Sequence, residues 1–327
     1  MIRRFKHLIR LLEALLVLFV FLLAYNFLLP IGEKEKVLFF DANDTKSILQ
    51  TLKKNGYNIT RFDAWLIPEG GLPLHGWYQV GHTHDGRWHF FHALSQNPLP
   101  AMHIVVYPGE THKELLSRLA NDMKLNRGIL EKRYKTHARY AEGDILAGTY
   151  SIARRADENT TLNYLFEQSN AQFDAFKKRY FDKPVDAYTF KLLMIIASII
   201  QKESNNPEEM PLIASVIYNR IERGMKLQMD GTLNYGDYSH RVVTPERIRE
   251  DTSYYNTYKY KGLPPAPLAS FSMEALKAAL FPARSDFLFF MLTPDGSHSF
   301  AADYATHLKN LKAFRAYQKK RKTLLSK

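Results

Sequence analysis

The chain has 327 residues, of which 46% are hydrophobic, 13% aromatic and 24% charged. That composition excludes a wholly disordered chain, a collagen or a mucin stalk, and a single apolar run near the N-terminus excludes a polytopic channel. Lys and Arg total 45 against 33 Asp and Glu, so the net charge is +12 and an anionic partner is expected. There are no cysteines, which removes disulfides, zinc–cysteine sites, iron–sulfur clusters and thiol catalysis.

Arg3, Arg4, Lys6 and Arg10 precede an apolar run from Leu11 to Leu29. A helix needs about 20 apolar residues to cross a bilayer, and the run meets that length. The positive flank predicts a cytoplasmic N-terminus with the remainder exported, which points away from nucleic acid as partner. Tyr25, Asn26 and Phe27 offer no small-x-small cleavage site, so a retained anchor is expected rather than a cleaved signal. Residues 1–30 are therefore read as tail and transmembrane helix, and 31–36 as a short polar stalk.

Residues 37–180 read as small α+β units. Val37 to Phe40 is a predicted strand, and a helix begins at Asp44 and closes at Asn55-Gly56. Arg61 to Ile67 is a predicted short helix. Trp77 to Val80 and Arg87 to Phe91 alternate around Asp85-Gly86 and predict a hairpin. The pattern then recurs: a strand over His103 to Tyr107, a helix over Thr111 to Met123, a strand over Gly148 to Ile152, and a helix over Thr160 to Tyr180. His82, His84, Asp85, His89 and His92 cluster in sequence, but no His-Glu-x-x-His signature accompanies them. An exposed histidine-rich hairpin is expected there, with no metal.

Residues 181–327 read as a second α+β domain. Asp186 to Ser204 predicts a helix buried all round. Asn206-Pro207-Glu208-Glu209 predicts the start of the next helix, which Gly224 ends. A polar and aromatic stretch from Met225 to Ser270 follows. Glu274 to Leu280 is a predicted helix, and Phe287 to Met291 with His298 to Phe300 a hairpin around Pro294-Asp295-Gly296. The basic C-terminal residues read as a solvated helix end.

Glu203 is the candidate catalytic residue. Ile196, Ile199 and Ile200 precede it on one helical face, so its carboxyl projects from the buried side. It also stands near the helix C-terminus, where the macrodipole disfavours negative charge. Both effects hold a carboxyl protonated toward neutral pH, as a general acid requires. The other reading is a helix-end glutamate bonded to amides of the next element. Gln228, Asp230, Thr232, Tyr235, Asn256, Tyr258, His298 and His307 are candidate substrate-binding groups, a set that suits a glycan groove. Singly each has a plainer reading, such as a turn at Asp230-Gly231 or a cap at Asn256.

Four segments in order carry a resemblance. They are ASIIQKES (197–204), IASVIYNRIERGMKLQMDGTLNYG (213–236), YNTYKYKGLPPAPLAS (255–270) and GSHSFAADYATH (296–307). Together they resemble the endolytic murein transglycosylases of the MltG/YceG-like type over roughly residues 185–312. Residues 37–156 are similar to that family's LysM-like region. The resemblance implies a membrane-anchored, cofactor-free lyase on the periplasmic side of the inner membrane. It would cut peptidoglycan glycan strands internally and leave 1,6-anhydro-N-acetylmuramic acid ends. Cell-wall synthases (penicillin-binding proteins) are the implied partners. The family's catalytic glutamate maps to Glu203, and Gln228, Asp230, Asn256 and Tyr258 match family positions. Gln201 departs from the family's Glu-Lys-Glu; on a helix it points about 200° from Glu203, so the two cannot share a role. That departure keeps a second reading open, a non-catalytic peptidoglycan-binding scaffold for synthases.

Overall fold

The computed structural model describes residues 2–32, 36–42, 44–67, 75–81 and 86–325. His82, His84 and Asp85, residues 33–35 of the expected stalk, and the last two residues lie outside that set. The architecture is mixed α+β. The chain divides into two compact units, Met1–His103 with Ser151–Tyr164, and Ile104–Tyr150 with Leu165–Lys327. This partition follows contacts, whereas the one expected from sequence followed composition.

In the first unit, α1 (Ile2–Leu28) carries a 25-residue segment, Arg4–Leu28, that is long and apolar enough by length and composition to cross a membrane. The strands β1 (Lys36–Phe40) and β2 (Gly76–Val80) pair antiparallel, with Lys36 opposite Val80 and Phe40 opposite Gly76. Between them lie α2 (Thr45–Lys54), capped by Asp44, and a 3-10 turn at Arg61–Trp65. Phe40, Ile48, Leu52, Tyr78, Val80 and Phe91 form the core.

The hairpin expected around Asp85-Gly86 is not formed. Arg87–Gln96 is a helix, α3, and its buried residues Arg87, Phe90, Phe91 and Leu94 stand at helical spacing. Both periods fit so short an apolar run; packing of Phe90 and Phe91 into the core selects the helix.

Arg87 is fully buried beneath α1. Its Nε and Nη2 donate to both oxygens of Asp63, at 2.8 and 2.5 Å. Its other donors reach the carbonyls of Leu29 and Asn58. Asp63 in turn accepts from the Thr60 amide and the Tyr25 hydroxyl. One buried ion pair thus ties the end of α1 to the 3-10 turn and to α3.

β3 (Ala101–Val106) pairs with β4 (Gly148–Ala153), and the unit boundary runs across both strands. In the second unit, α4 (His112–Met123) opens with a capping box between Thr111 and Glu114. The sequence did not predict α5 (Arg127–His137). Only Leu130 and Tyr134 are buried along it, too few to mark an apolar stripe. α6 (Glu158–Tyr180) leads to α7 (Ala187–Glu203), which Asp186 caps. Ten residues of α7 are buried, and it packs against α8 (Met210–Glu222) and α10 (Met273–Leu280).

α8 starts three residues later than expected. Asn206 accepts the Glu208 amide with its side chain and the Met210 amide with its carbonyl, so 206–209 is a turn. The proline inside the helix is Pro211. Glu209 is drawn instead to His298. Residues 225–270 are irregular apart from two 3-10 turns and α9 (Pro245–Glu250). β5 (Phe289–Leu292) and β6 (His298–Ala301) form the expected hairpin before α11 (Tyr304–Leu325).

Asp63→Ala would leave the Arg87 charge buried without its partner, a change that costs about 3–5 kcal/mol. The expected outcome is cooperative loss of the first unit, read as a lowered denaturation midpoint and new protease cuts between residues 44 and 96; an unchanged midpoint would show the pair to be dispensable.

Candidate active site

Glu203 is the last residue of α7, and the second unit holds every candidate around it. One wall is apolar, because Ile196, Ile199 and Ile200 on its face are buried. The other is the 3-10 turn Asp230–Leu233. There the Gly231 amide donates to Glu203 Oε1 at 2.9 Å. Burial pushes the Glu203 carboxyl up to about 7, the nearby Asp230 charge adds to the rise, and the Gly231 amide opposes it. The residue as a whole keeps an intermediate exposure.

Gly231 is needed for close approach. A Cβ there would stand 2.8 Å from Glu203 Oε1 and 2.8 Å from the Lys202 Cβ. The Lys202 Cβ cannot retreat, since it is fixed to the backbone of a packed helix, and Glu203 Oε1 could do so only by turning its carboxyl away from the Gly231 amide.

Lys202 does not neutralise its neighbour. Its ammonium donates to the Gly109 carbonyl at 2.7 Å and the Ser239 hydroxyl at 2.9 Å. Burial pulls its proton affinity down, against the charges of Glu114 and Glu142. The cation is thereby spent on joining α7 to the loops at 109 and 239.

Gln201 is buried and structural. Its side-chain amide donates to Asn205 Oδ1 at 2.7 Å, and its oxygen accepts the Ser272 amide just before α10. A carboxylate could not make the donated bond, so the departure at this position fits the packing around it.

The structure brings Asp230 and Tyr258 to Glu203. Tyr258 donates to Asp230 Oδ1 at 2.6 Å. Burial, the Asp230 bond and the charges of Asp230 and Glu203 all push the Tyr258 hydroxyl up, so it stays protonated and donating. Gln228 sits in the left-handed region, φ +50°, with its amide on the Thr257 carbonyl and its side chain exposed. Thr232 is buried behind the turn, bonded to Thr257 and the Met229 carbonyl. Asn256 is fully buried; its amide donates to the carbonyls of Ile248 and Asp251, and its oxygen accepts the Tyr258 amide. Tyr235 stacks on Tyr255 at 4.3 Å and donates to Asp251 or Ser253. These three hold the loop that presents Tyr258.

The two histidines have partners of their own. His298 is bonded through its backbone and ring nitrogen to Glu209. His307 stacks on Phe289, and burial with the Arg220 charge pulls its proton affinity down. Sequence reasoning missed the Gly231 amide, Lys202's anchoring role and Arg220. Arg220 binds the Leu227 and Leu288 carbonyls and so fixes the start of the loop. Only Gly231 had a signal, the Asp-Gly pair next to a candidate carboxylate.

A family model described as the YceG-like family matches residues 41–313. A Bacillus subtilis protein named endolytic murein transglycosylase is 31% identical over 172 residues, covering 51% of this chain and 46% of that protein. A Streptococcus pneumoniae protein of the same name is 33% identical over 182 residues, 53% of this chain and 32% of that one. The chain thus spans less than half the length of either relative. A YceG-like protein from Listeria monocytogenes, known by crystal structure, superposes with a TM-score of 0.54 over 85% of this chain and 99% of that one. At 21% identity that likeness is one of fold.

Two outcomes follow from the geometry. Gly231→Ala overpacks the contact, with an expected cost of about 1–3 kcal/mol in thermal unfolding; no loss would mean that the turn moves freely. A carboxyl raised from 4.5 to about 7 binds its proton more tightly in the folded state. The wild type therefore loses stability as pH rises from the unfolded value through about 7. Glu203→Gln escapes that loss, so its melting temperature should gain on the wild type across this window and hold the gain above it.

Proposed function

The chain belongs to the YceG-like family, and from that premise we propose that it is a membrane-anchored endolytic peptidoglycan lytic transglycosylase. The observation that carries the reading is the Glu203 carboxyl, raised to about 7 beside an apolar wall and bonded to one backbone amide. The name shared by the Bacillus and Streptococcus relatives supports the same activity.

Cleavage needs one acid that becomes a base. Protonated Glu203 gives its proton to the glycosidic oxygen between N-acetylmuramic acid and N-acetylglucosamine. The bond from that oxygen to C1 breaks, and positive charge grows at C1. The C6 hydroxyl of the same muramic sugar then closes on C1, and its proton passes to the Glu203 carboxylate. The product ends in a 1,6-anhydro sugar and Glu203 is again protonated. The nucleophile belongs to the substrate, so its effective molarity is high and neither a water nor a second catalytic carboxylate is required. Tyr258, kept protonated on Asp230, is suited to orient the sugar, and the exposed Gln228 side chain to hydrogen-bond an acetamido group.

The N-terminal span, with Arg4, Lys6 and Arg10 at its start, supports a single-pass anchor in the inner membrane with the catalytic unit in the periplasm. The small α+β elements before residue 156 act as LysM-like modules that bind glycan or set reach. Nascent strands near the membrane are the substrate, and cell-wall synthases the neighbouring partners.

The test is digestion of purified peptidoglycan with mass spectrometry of the products. Wild type is expected to yield internal fragments with anhydro-muramic ends, and Glu203→Gln to lose about 10²–10⁴-fold in rate. Full activity in that variant would overturn the assignment. The wild-type rate should fall as pH rises past about 7, where the acid loses its proton.

A further inference from the structure

We propose that the first unit rests on the bilayer surface: a groove between the end of α1 and the 3-10 turn Arg61–Trp65 takes a phospholipid, and Trp65 and Trp88 sit in the headgroup layer. The inference rests on α1 spanning a membrane, as proposed above.

The groove measures about 540 Å³, with an almost wholly apolar lining. One wall is α1 itself, through Phe21, Tyr25 and Leu28, and the facing wall is Phe62. Phe62 reaches Tyr25 edge-on at 6.0 Å, and Tyr25 stacks on Phe21 at 6.5 Å, so the aromatic row continues down the anchor from the 3-10 turn. The polar atoms beside the groove face inward: the Tyr25 and Thr60 hydroxyls bond each other, and Tyr25 also donates to Asp63. What remains toward the groove is hydrocarbon. Because the wall is the membrane helix, the groove opens into the acyl region, and a lipid tail is the occupant with matching chemistry. At the rim, the exposed Arg61 guanidinium stacks over Phe62 at 4.8 Å, placed to pair with a phosphate.

The tryptophans give the second observation. Trp65 is 83% exposed and Trp88 58% exposed, large values for the residue type that favours membrane interfaces. Both are attached at one turn of α1. Trp65 packs on Phe62, which meets Tyr25, and the Trp88 amide donates to the Asn26 side chain at 2.8 Å. Gly86 lets α3 come this close, since a Cβ there would lie 2.5 Å from the Asn26 amide. With Arg87 also bonded to the Leu29 carbonyl, the unit is fixed to its anchor.

The chain has three tryptophans, and the third, Trp77, is 3% exposed, which provides an internal control. Full-length protein is placed in phosphatidylethanolamine–phosphatidylglycerol vesicles whose acyl chains are brominated near the headgroup. Wild type is expected to lose most of its Trp65 and Trp88 emission. Trp65→Phe with Trp88→Phe, which leaves Trp77 alone, is expected to lose almost none. Arg61→Gln should weaken quenching by brominated phosphatidylglycerol. Wild-type emission as resistant as that of the double variant, in protein that survives an alkaline wash of the vesicles, would overturn the groove and leave the anchor standing. Equal quenching in wild type and Arg61→Gln would overturn the phosphate contact. A groove covered by a second copy would show as unquenched emission with a cross-linked dimer, and it too would overturn the proposal. Protein released by the wash would instead overturn the membrane span, and the groove with it.

Discussion

The second unit is organised around a carboxyl group kept where water would not keep it. Glu203 ends a helix whose sides are buried, so both the surrounding hydrocarbon and the helix dipole favour the proton. A single amide, from Gly231, meets the carboxyl and limits the rise without cancelling it. The balance depends on distance: only a glycine lets the 230–233 turn approach both Lys202 and Glu203 at once.

Much of the surrounding structure serves to hold that turn. Thr257 bonds Thr232 and the Met229 amide, Asn256 ties its own loop to Ile248 and Asp251, and Arg220 grips the strand of chain entering at Leu227. Lys202 matters by absence. Its ammonium is committed to Gly109 and Ser239, and were it to reach Glu203 the carboxyl would ionise at ordinary pH. An adjacent lysine and glutamic acid are thus held in separate surroundings on one helix, the ammonium on Gly109 and Ser239 and the carboxyl on Gly231.

The parts of this arrangement that a linear reading could reach are those governed by local periodicity. The α7 stripe, the face of Glu203, the stop at Gly224 and the Pro294–Gly296 turn all follow from spacing within a few residues. Where two periods fit one short run, as at Arg87–Phe91, only the core could choose, and it chose helix. α5 has two buried residues in eleven, too few to show as an apolar stripe, and its start is fixed by the Asn126 cap. α8 starts later than the 206–209 pattern suggests, and Glu209, a plausible cap partner by position, bonds His298 eighty-nine residues away. The Gly231 amide and the bond from Ser272 to Gln201 are likewise long-range, and no residue type announces them. Residue type marks Asn256 and Thr232 as polar candidates, yet their side chains are turned inward to hold the loop.

Everything proposed for this site requires Glu203 to hold its proton near neutrality. The direct measurement is a carbon-13 titration of the side-chain carboxyls in uniformly Glu-labelled protein, with Glu203→Gln identifying the resonance by its disappearance. The midpoint expected for that resonance is about 7. A midpoint at the ordinary glutamate value near 4.5 would contradict it and leave Glu203 an ionised helix-end residue.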